Sequence, residues 1–431
     1  MWQYAPYVDE LKAIFSLASL KNGSCNSQIE AATNGEAKLN VCKFVPIDVR
    51  RQYGIFFTGH DIADKAAQYV RKQIAAGARV IDPTCGAGDL LLACSNYLPV
   101  STGLRTSLSQ WEQKLYGMDI HPRFVDATRL RLALKCIART GNSVRTPLDS
   151  ENLFPGVSVA NALDTNELLS EADVVIANPP FYAMASPRGT PWGLGKVNSS
   201  AVFISKFLQQ MKIGATLVAI IPDVLRSGSR YDQWRRSISE SIDVKTVIPL
   251  ERFDDATDVH VFILVATKTK RTIGKWVPFI EETRASEQTI QNYFAVSVGP
   301  VVDYREPKLG PWMPYLRARN LPTWETIRDS TTRRRFRGRA IKAPFVVVRR
   351  TSRPEDRFRA VGTIVAGNGE YAVENHLIIL QPKDAKIGSC NALLEILKGK
   401  NASDFLNSVI RCRHLTVSAV QSIPWKSTLS A

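Results

Sequence analysis

Asp82-Pro83-Thr84-Cys85-Gly86-Ala87-Gly88-Asp89 is the stretch on which the reading of this chain turns. It follows the short apolar run Arg79–Asp82 and opens into Leu90-Leu91-Leu92-Ala93, so a buried strand passes through a tight turn into a buried helix. Glycines at 86 and 88 let the backbone turn sharply and approach a ligand, with the N–H groups of the helix start facing it. The third glycine of a dinucleotide-binding loop would fall at Leu91, so the pattern departs from a pyrophosphate-hugging turn. The next apolar run, Leu115–Asp119, ends on a carboxylate, where it can accept both hydroxyls of a ribose.

Working outward, residues 54–268 alternate helical and strand-like runs, as an α/β domain with a largely parallel sheet does. The expected strands are Arg79–Asp82, Leu115–Asp119, Ala172–Ala177, Thr216–Ile221, Thr246–Leu250 and Val259–Ala266. The expected helices include Asp61–Gln73, Asp89–Tyr97, Pro122–Arg139 and Ser200–Met211. Before this region, Tyr7–Leu20 reads as an amphipathic helix and Lys21–Ala37 as polar loop. Beyond 300, short strands, prolines and arginines read as a separate domain. The expected organisation is an N-terminal extension at 1–50, a catalytic domain at 51–270, a linker region at 271–310 and a basic domain at 311–431.

The chain carries a formal charge of +16, and residues 301–431 hold 23 Lys and Arg against 11 Asp and Glu, a net +12. A positive field of that size suits a polyanion, nucleic acid first, although a solvated surface would carry the same signature. Seven cysteines and five histidines form no C-x-x-C pair and no zinc spacing, so no metal is expected. No apolar run is long enough to span a bilayer and the first residues lack a signal-peptide pattern, so a cytoplasmic protein without membrane contact is expected.

The second informative stretch is Asn178-Pro179-Pro180-Phe181, at the carboxyl end of the apolar run Ala172–Ala177. Open α/β sheets place ligands at that end of a strand. A proline-rich turn closing a strand is common by itself; the same tetrapeptide downstream of the glycine loop is not. The combination resembles class I S-adenosylmethionine-dependent methyltransferases, and more narrowly the adenine-N6 DNA methyltransferases of restriction-modification systems. The order of glycine loop, tetrapeptide and basic C-terminal domain is similar to the family's gamma arrangement. What the resemblance implies is a Rossmann-like catalytic domain with a mostly parallel sheet, followed by a smaller mixed α+β target-recognition domain. It implies S-adenosylmethionine as cofactor and double-stranded DNA as partner. A cognate restriction endonuclease is a partner that such systems can carry, without methylation requiring it.

The resemblance also implies roles for residues. Asp82, Thr84, Cys85, Gly86 and Gly88 would form the turn around the methionine end of the cofactor, Asp119 would hold its ribose, and Ile120 would lie against its adenine. Gly54-Ile55-Phe56-Phe57-Thr58-Gly59 is similar to a family segment whose threonine, here Thr58, meets the cofactor carboxylate; Gly59 replaces the family's proline. Asn161 is the favoured reader of the cofactor's adenine amino group, with Asp164 the competitor.

The chemistry accounts for the tetrapeptide's residue types. An aromatic amino nitrogen is a poor nucleophile, because its lone pair is delocalised into the ring. Two acceptors off the ring plane, the Asn178 side-chain oxygen and the Pro179 carbonyl, can each take one amino hydrogen and draw the nitrogen toward a tetrahedral shape. The stiff Pro179-Pro180 backbone fixes that geometry. Phe181 offers a stacking surface for a base extruded from the duplex, and Phe253, in a segment similar to the family's F-x-x-A, is the candidate for the second face. In the basic domain Arg333, Arg334, Arg335, Arg337, Arg339, Arg349 and Arg350 are the candidate DNA contacts.

Two rival functions remain at this stage: transfer to an RNA base amino group or a protein glutamine amide, and a non-catalytic DNA-binding subunit with a methyltransferase fold. The recognised sequence, the number of strands modified and the oligomeric state are not readable from the residues.

Overall fold

The computed structural model describes residues 4–20, 26–141, 152–164, 167–254, 257–270 and 288–425; Cys25 and positions 271–287 of the expected linker lie outside them. The chain divides into two compact units, one of residues 1–225 and 231–276, the other of residues 226–230 and 277–431.

Among the described residues the first unit contains the strands β1 (Val80–Asp82), β2 (Leu115–Asp119), β3 (Val157–Val159), β4 (Val174–Ala177), β5 (Ala183–Ala185), β6 (Lys196–Asn198), β7 (Thr216–Pro222), β8 (Ile242–Asp254) and β9 (Thr257–Lys268). All but β5 and β6 form one sheet in the order β3-β2-β1-β4-β7-β9-β8. The first five of these are parallel, and β9 runs antiparallel to both β7 and β8. Strands β1, β4 and β7 are buried at every position, because helices cover both faces of the sheet. The chain winds from β1 outward through β2 to β3 and then returns to place β4 on the other flank of β1. The loops after β1 and β4 therefore diverge at a topological switch point, which opens a crevice above the sheet. Those loops are the glycine turn and the tetrapeptide.

The helix Pro122–Thr140 packs one apolar core against Asp89–Ser95 and His60–Gln68, and Ser199–Gln210 with Asp232–Ser239 packs the other. The strands expected at 79–82, 115–119, 172–177, 216–221, 246–250 and 259–266 are all present, 115–119 with the same ends and the others with shifted ones, β8 and β9 being longest.

The polar loop expected at Lys21–Ala37 is overturned. Helices Asn26–Thr33 and Glu36–Phe44 occupy most of it. Their apolar spacing is slight, but Ile29, Ala32, Ala37 and Val41 are all buried, and Tyr4, Tyr7, Leu11 and Phe15 of the helix Ala5–Leu20 join the same core. Tertiary packing has supplied helical stability that composition did not promise.

The second unit contains β10 (Phe294–Val298), β11 (Trp312–Leu316), β12 (Thr326–Ile327), β13 (Arg333–Arg335), β14 (Ile341–Lys342), β15 (Phe345–Arg349), β16 (Gly362–Val365), β17 (Glu370–Val373) and β18 (Leu377–Pro382). A five-stranded sheet, β10-β18-β15-β16-β12, buries Val346, Val348, Ile378 and Leu380 against helices Ile387–Lys398 and Lys400–Val409. A four-stranded sheet, β13-β11-β17-β14, stands beside it. The whole is a mixed α+β fold smaller than the first unit.

Candidate active site

The glycine loop is shaped from behind by carboxylates. Asp82, buried, accepts from the Thr84 N–H at 3.0 Å and so closes the turn after β1. Asp119, at the end of β2, accepts from the Gly86 N–H at 3.1 Å and the His121 N–H at 2.8 Å. Asp89 accepts from the Gly59 N–H at 2.9 Å, tying the segment 54–59 to the loop. Gly88, at φ 89°, could not carry a side chain: a Cβ would sit 2.8 Å from Thr128 of the helix Pro122–Thr140.

A buried arginine that the sequence reading passed over holds this arrangement. Arg131, 1% exposed, reaches from the same helix to Asp89 at 2.9 Å, to the Ala87 carbonyl, and to the Ala32 carbonyl at 2.7 Å. One guanidinium thus joins the loop to the N-terminal helices. Its pattern signal is absent, because an arginine inside a helix ordinarily marks a solvated face.

The tetrapeptide is held as tightly. Asn178 donates its Nδ2 to Thr58 Oγ1 at 3.0 Å and to the Phe56 carbonyl at 3.5 Å. The carbonyl can only accept, which sets the amide with Nδ2 inward and Oδ1 free. Asn178 Oδ1 is buried and has no hydrogen-bond partner. Gly54, at φ 67°, packs directly beneath: a Cβ there would lie 2.6 Å from Pro180 and 2.9 Å from the Phe181 nitrogen.

Between these loops lies a cavity of about 610 Å3. Thr84, Gly86, Asp119, Ile120 and Asn161 of the expected cofactor residues line it, together with Asn178 and Pro180. Thr58, Asp82, Cys85 and Gly88 do not. The Cys85 thiol turns inward to lie against Gly117 and Thr128. Thr58, Asp82 and Cys85 instead line a small adjoining pocket together with Thr84, Gly86 and Asn178. Asn161 faces the cavity with its Oδ1 accepting from the Leu163 N–H at 3.1 Å, while Asp164 is turned to the Asn161 amide at 3.3 Å and is not part of the lining. Phe203, from Ser199–Gln210, and Tyr182 also line the cavity and went unnamed in the sequence, where Phe203 looks like any core position of an apolar helix.

Phe181 and Phe253 come together, but in direct contact, with centroids 5.4 Å apart and rings inclined at 69°. Phe253 is buried. As they stand, the rings leave no gap for a base between them. Edge-on contact is the favoured arrangement of two free rings.

Burial raises two carboxyls at this site. It pushes Asp82 up to about 8 against the opposing Thr84 N–H, with Asp119 adding to the rise. It pushes Asp119 up to about 6, against the N–H groups of His121 and Gly86. His121 is lowered by burial to about 4 and is neutral near pH 7. Asp119, which lines the cavity and is ionised above about 6, favours a cationic or hydroxyl-bearing ligand. Among the described residues no group of three His, Cys, Asp or Glu is arranged to hold a metal ion, and no helix is long and apolar enough to cross a membrane.

In the second unit the arginines separate into two kinds. Arg335, Arg337 and Arg339 are exposed, and so is Arg333, which is paired with Asp329 at 2.9 and 2.8 Å. Arg334 is a correction: alternating with its neighbours on β13, it points inward, 4% exposed, to Asp303 and to the Glu306 carbonyl at 2.7 Å. Arg349 and Arg350 are half-buried and donate to the carbonyls of Leu321 at 2.7 Å and Leu415 at 3.3 Å, which uses them at least in part for structure.

The family described as N-6 DNA methylase matches residues 47–295. Among solved structures, the type IIL restriction-modification enzyme MmeI in complex with DNA is similar at 13% identity and a TM-score of 0.55, over 90% of this chain and 70% of that one. The type IIG restriction endonuclease BpuSI is similar at 12% identity and a TM-score of 0.46, over 89% of this chain and 60% of that one, so the chain spans less than two thirds of that protein. The methyltransferase subunit of a type I restriction-modification system from Streptococcus thermophilus is similar at 22% identity and a TM-score of 0.36, over 50% and 45%. No protein of curated function matches in sequence. At such identities the likeness is one of fold, and the MmeI comparison carries it.

Proposed function

The chain belongs to the N-6 DNA methylase family, and on that premise we propose that it is a site-specific DNA methyltransferase acting on the amino group of an adenine turned out of double-stranded DNA. The observation that carries this reading is Asn178 Oδ1, a buried acceptor without a partner at the edge of a cavity, on an amide whose other end is held. An unmade hydrogen bond of that kind costs about 1–3 kcal/mol, which a donor arriving with the substrate would recover.

S-Adenosylmethionine fits the residues present. The cavity is within the size range of small-ligand sites, about 300–1,000 Å3. Asp119 would take the ribose hydroxyls, Ile120 and Phe203 would flank the adenine, and Asn161 would read its amino edge. Thr84 and Gly86 would border the methionine end. The bound cofactor supplies an electrophilic methyl on a sulfonium sulfur, whose C–S electrons leave with the thioether.

The chain's part is positioning. Asn178 Oδ1 and the Pro179 carbonyl would each accept one hydrogen of the target amino group, localising its lone pair toward the methyl. No strong base is needed first, because the methylated ammonium is acidic enough to release a proton to water afterward. Phe181 would stack on the extruded base, with Phe253 swinging from its present contact to admit it. The exposed Arg333, Arg335, Arg337 and Arg339 would hold the DNA backbone. We further propose that it works in the cytoplasm and that any cognate endonuclease is a separate activity.

The test is expression in a host lacking adenine methylation, followed by genome sequencing sensitive to methylated adenine, beside an Asn178→Ala control. Methylated adenine in one short motif, absent from the control, is expected. Soluble protein that binds the cofactor and leaves every adenine unmodified would overturn the reading in favour of another acceptor.

A further inference from the structure

The Pro180 carbonyl is held by two hydroxyls. Ser199 Oγ and Ser200 Oγ both donate to it, the latter at 3.1 Å. Both serines are completely buried, in the first turn of Ser199–Gln210. Ser199 does more: its Oγ accepts from the Tyr182 N–H at 2.9 Å, and its own N–H donates to the Tyr182 carbonyl at 2.8 Å. Ser200 is in turn fixed by Asn198, whose Oδ1 accepts from the Ser200 N–H at 3.0 Å. One dipeptide therefore engages the Pro180 carbonyl in the tetrapeptide and both backbone polar atoms of Tyr182 just beyond it.

A carbonyl oxygen has two lone pairs, and two hydroxyl donors occupy both. The Pro180 carbonyl has no capacity left for a substrate hydrogen. The Pro179 carbonyl, 3.5 Å from Ser200 Oγ, has only that long contact. Proline rings fix φ at 179 and 180, so the remaining freedom of this backbone lies mainly in ψ, and clamping the Pro180 peptide removes it.

We propose that Ser199 and Ser200 are positioning residues that saturate and lock the Pro180 carbonyl, so that Asn178 Oδ1 and the Pro179 carbonyl form the acceptor pair for the target amino group. This rests on the methyl-transfer reading above. The serines touch neither substrate nor cofactor; they act through the backbone that does. Without them the Pro180 peptide can rotate, which offers the amino group a wrongly placed acceptor and tilts Phe181.

The test compares Ser199→Ala, Ser200→Ala and Ser200→Cys with the unaltered full chain, measuring kcat and KM on duplex DNA carrying the methylated motif, and S-adenosylmethionine affinity by calorimetry. Ser200→Ala should lower kcat about 10–100-fold, the scale of loss for an ångström-sized misplacement. KM and cofactor affinity should stay within about twofold of the unaltered chain. A thiol matches the hydroxyl in shape but donates weakly, so Ser200→Cys should fall near Ser200→Ala. A cysteine variant near normal kcat would mean that the site needs filling and not a donor, and would overturn the proposal. So would serine-to-alanine variants with normal kcat, or a loss appearing equally in cofactor affinity. An unaltered chain that transfers no methyl to DNA would instead overturn the function on which the proposal rests.

Discussion

Arg131 and Arg337 mark the two extremes of how this protein uses positive charge. The first is sealed in a helix interface and spends its donors on Asp89 and on the carbonyls of Ala87 and Ala32. The second stands in solvent just beyond β13. Around the crevice, Asp82, Asp89 and Arg131 are buried and matched, and Asn178 Oδ1, buried without a partner, is where a substrate is proposed to bind. Around the basic strand, Arg335, Arg337 and Arg339 are exposed to solvent, where a partner can reach them. Chemistry demands fixed geometry, whereas backbone binding demands only charge in roughly the right place.

The sharpest way to break that contrast is to remove the buried charge. Arg131→Ala should cost about 3–5 kcal/mol of stability by leaving Asp89 buried without its counter-charge, read as a lowered denaturant midpoint. A loss as small as that of a surface arginine would erase the distinction. Next in size, Asn178→Ala should lower kcat about 10²–10³-fold, the scale of losing one preorganised polar contact to a transition state, while calorimetric cofactor affinity holds.

Asp119 sharpens the contrast through pH. Its carboxyl, raised to about 6 by burial, is ionised above that value and protonated below it. Cofactor affinity should therefore weaken as pH falls through 6, by up to about tenfold per unit, and Asp119→Asn should remove the trend. The sign for the unliganded fold is opposite. A carboxyl raised above its unfolded value adds stability at low pH and loses it as pH rises through 6, and Asp82 extends that loss toward 8. Melting of the free protein should thus worsen from pH 5 to 8, and an unchanged or improving melting temperature would contradict the burial of both groups.

The smallest effects belong to the basic strand. Arg335→Ala, Arg337→Ala and Arg339→Ala should each weaken DNA binding a few-fold and reduce the log–log salt slope by about 0.9. Arg334→Ala should leave that slope unchanged and lower the melting temperature, since its guanidinium faces Asp303. If Arg334 moved the slope as much as its neighbours, the alternation along β13 would be wrong.

The motifs were legible because each is local. Glycines 86 and 88, the strand-end Asp119 and the tetrapeptide declare themselves within a few residues. What escaped was whatever depends on distant partners. Arg131, Ser199, Ser200 and Phe203 are unremarkable where they stand in the chain and gain their parts only when Pro122–Thr140 and Ser199–Gln210 are laid against the loops. The helices at 26–44 were masked by Asn, Gly and Ser, and Phe253 showed its ring but not that it would close on Phe181. In the second unit, alternation along β13 could have flagged Arg334 as an inward residue, had Arg333–Arg335 been read as a strand and not as a charge block. Leu393, Leu394 and Leu397 carried the helical spacing of Ile387–Lys398 in plain view.

The link from Arg131 to Ala32 also bears on how the protein can be taken apart. A fragment cut to begin at residue 51, the edge suggested by the motifs, would keep every signature residue and lose the carbonyl that Arg131 Nε binds, along with Tyr4 and Tyr7. The glycine loop would then have to close around a buried cation with an empty donor. The crevice is therefore no portable cassette. Transplanting it into another scaffold means carrying the first helices as well, and during synthesis those helices must wait, already made, for the strand–loop–helix that completes them.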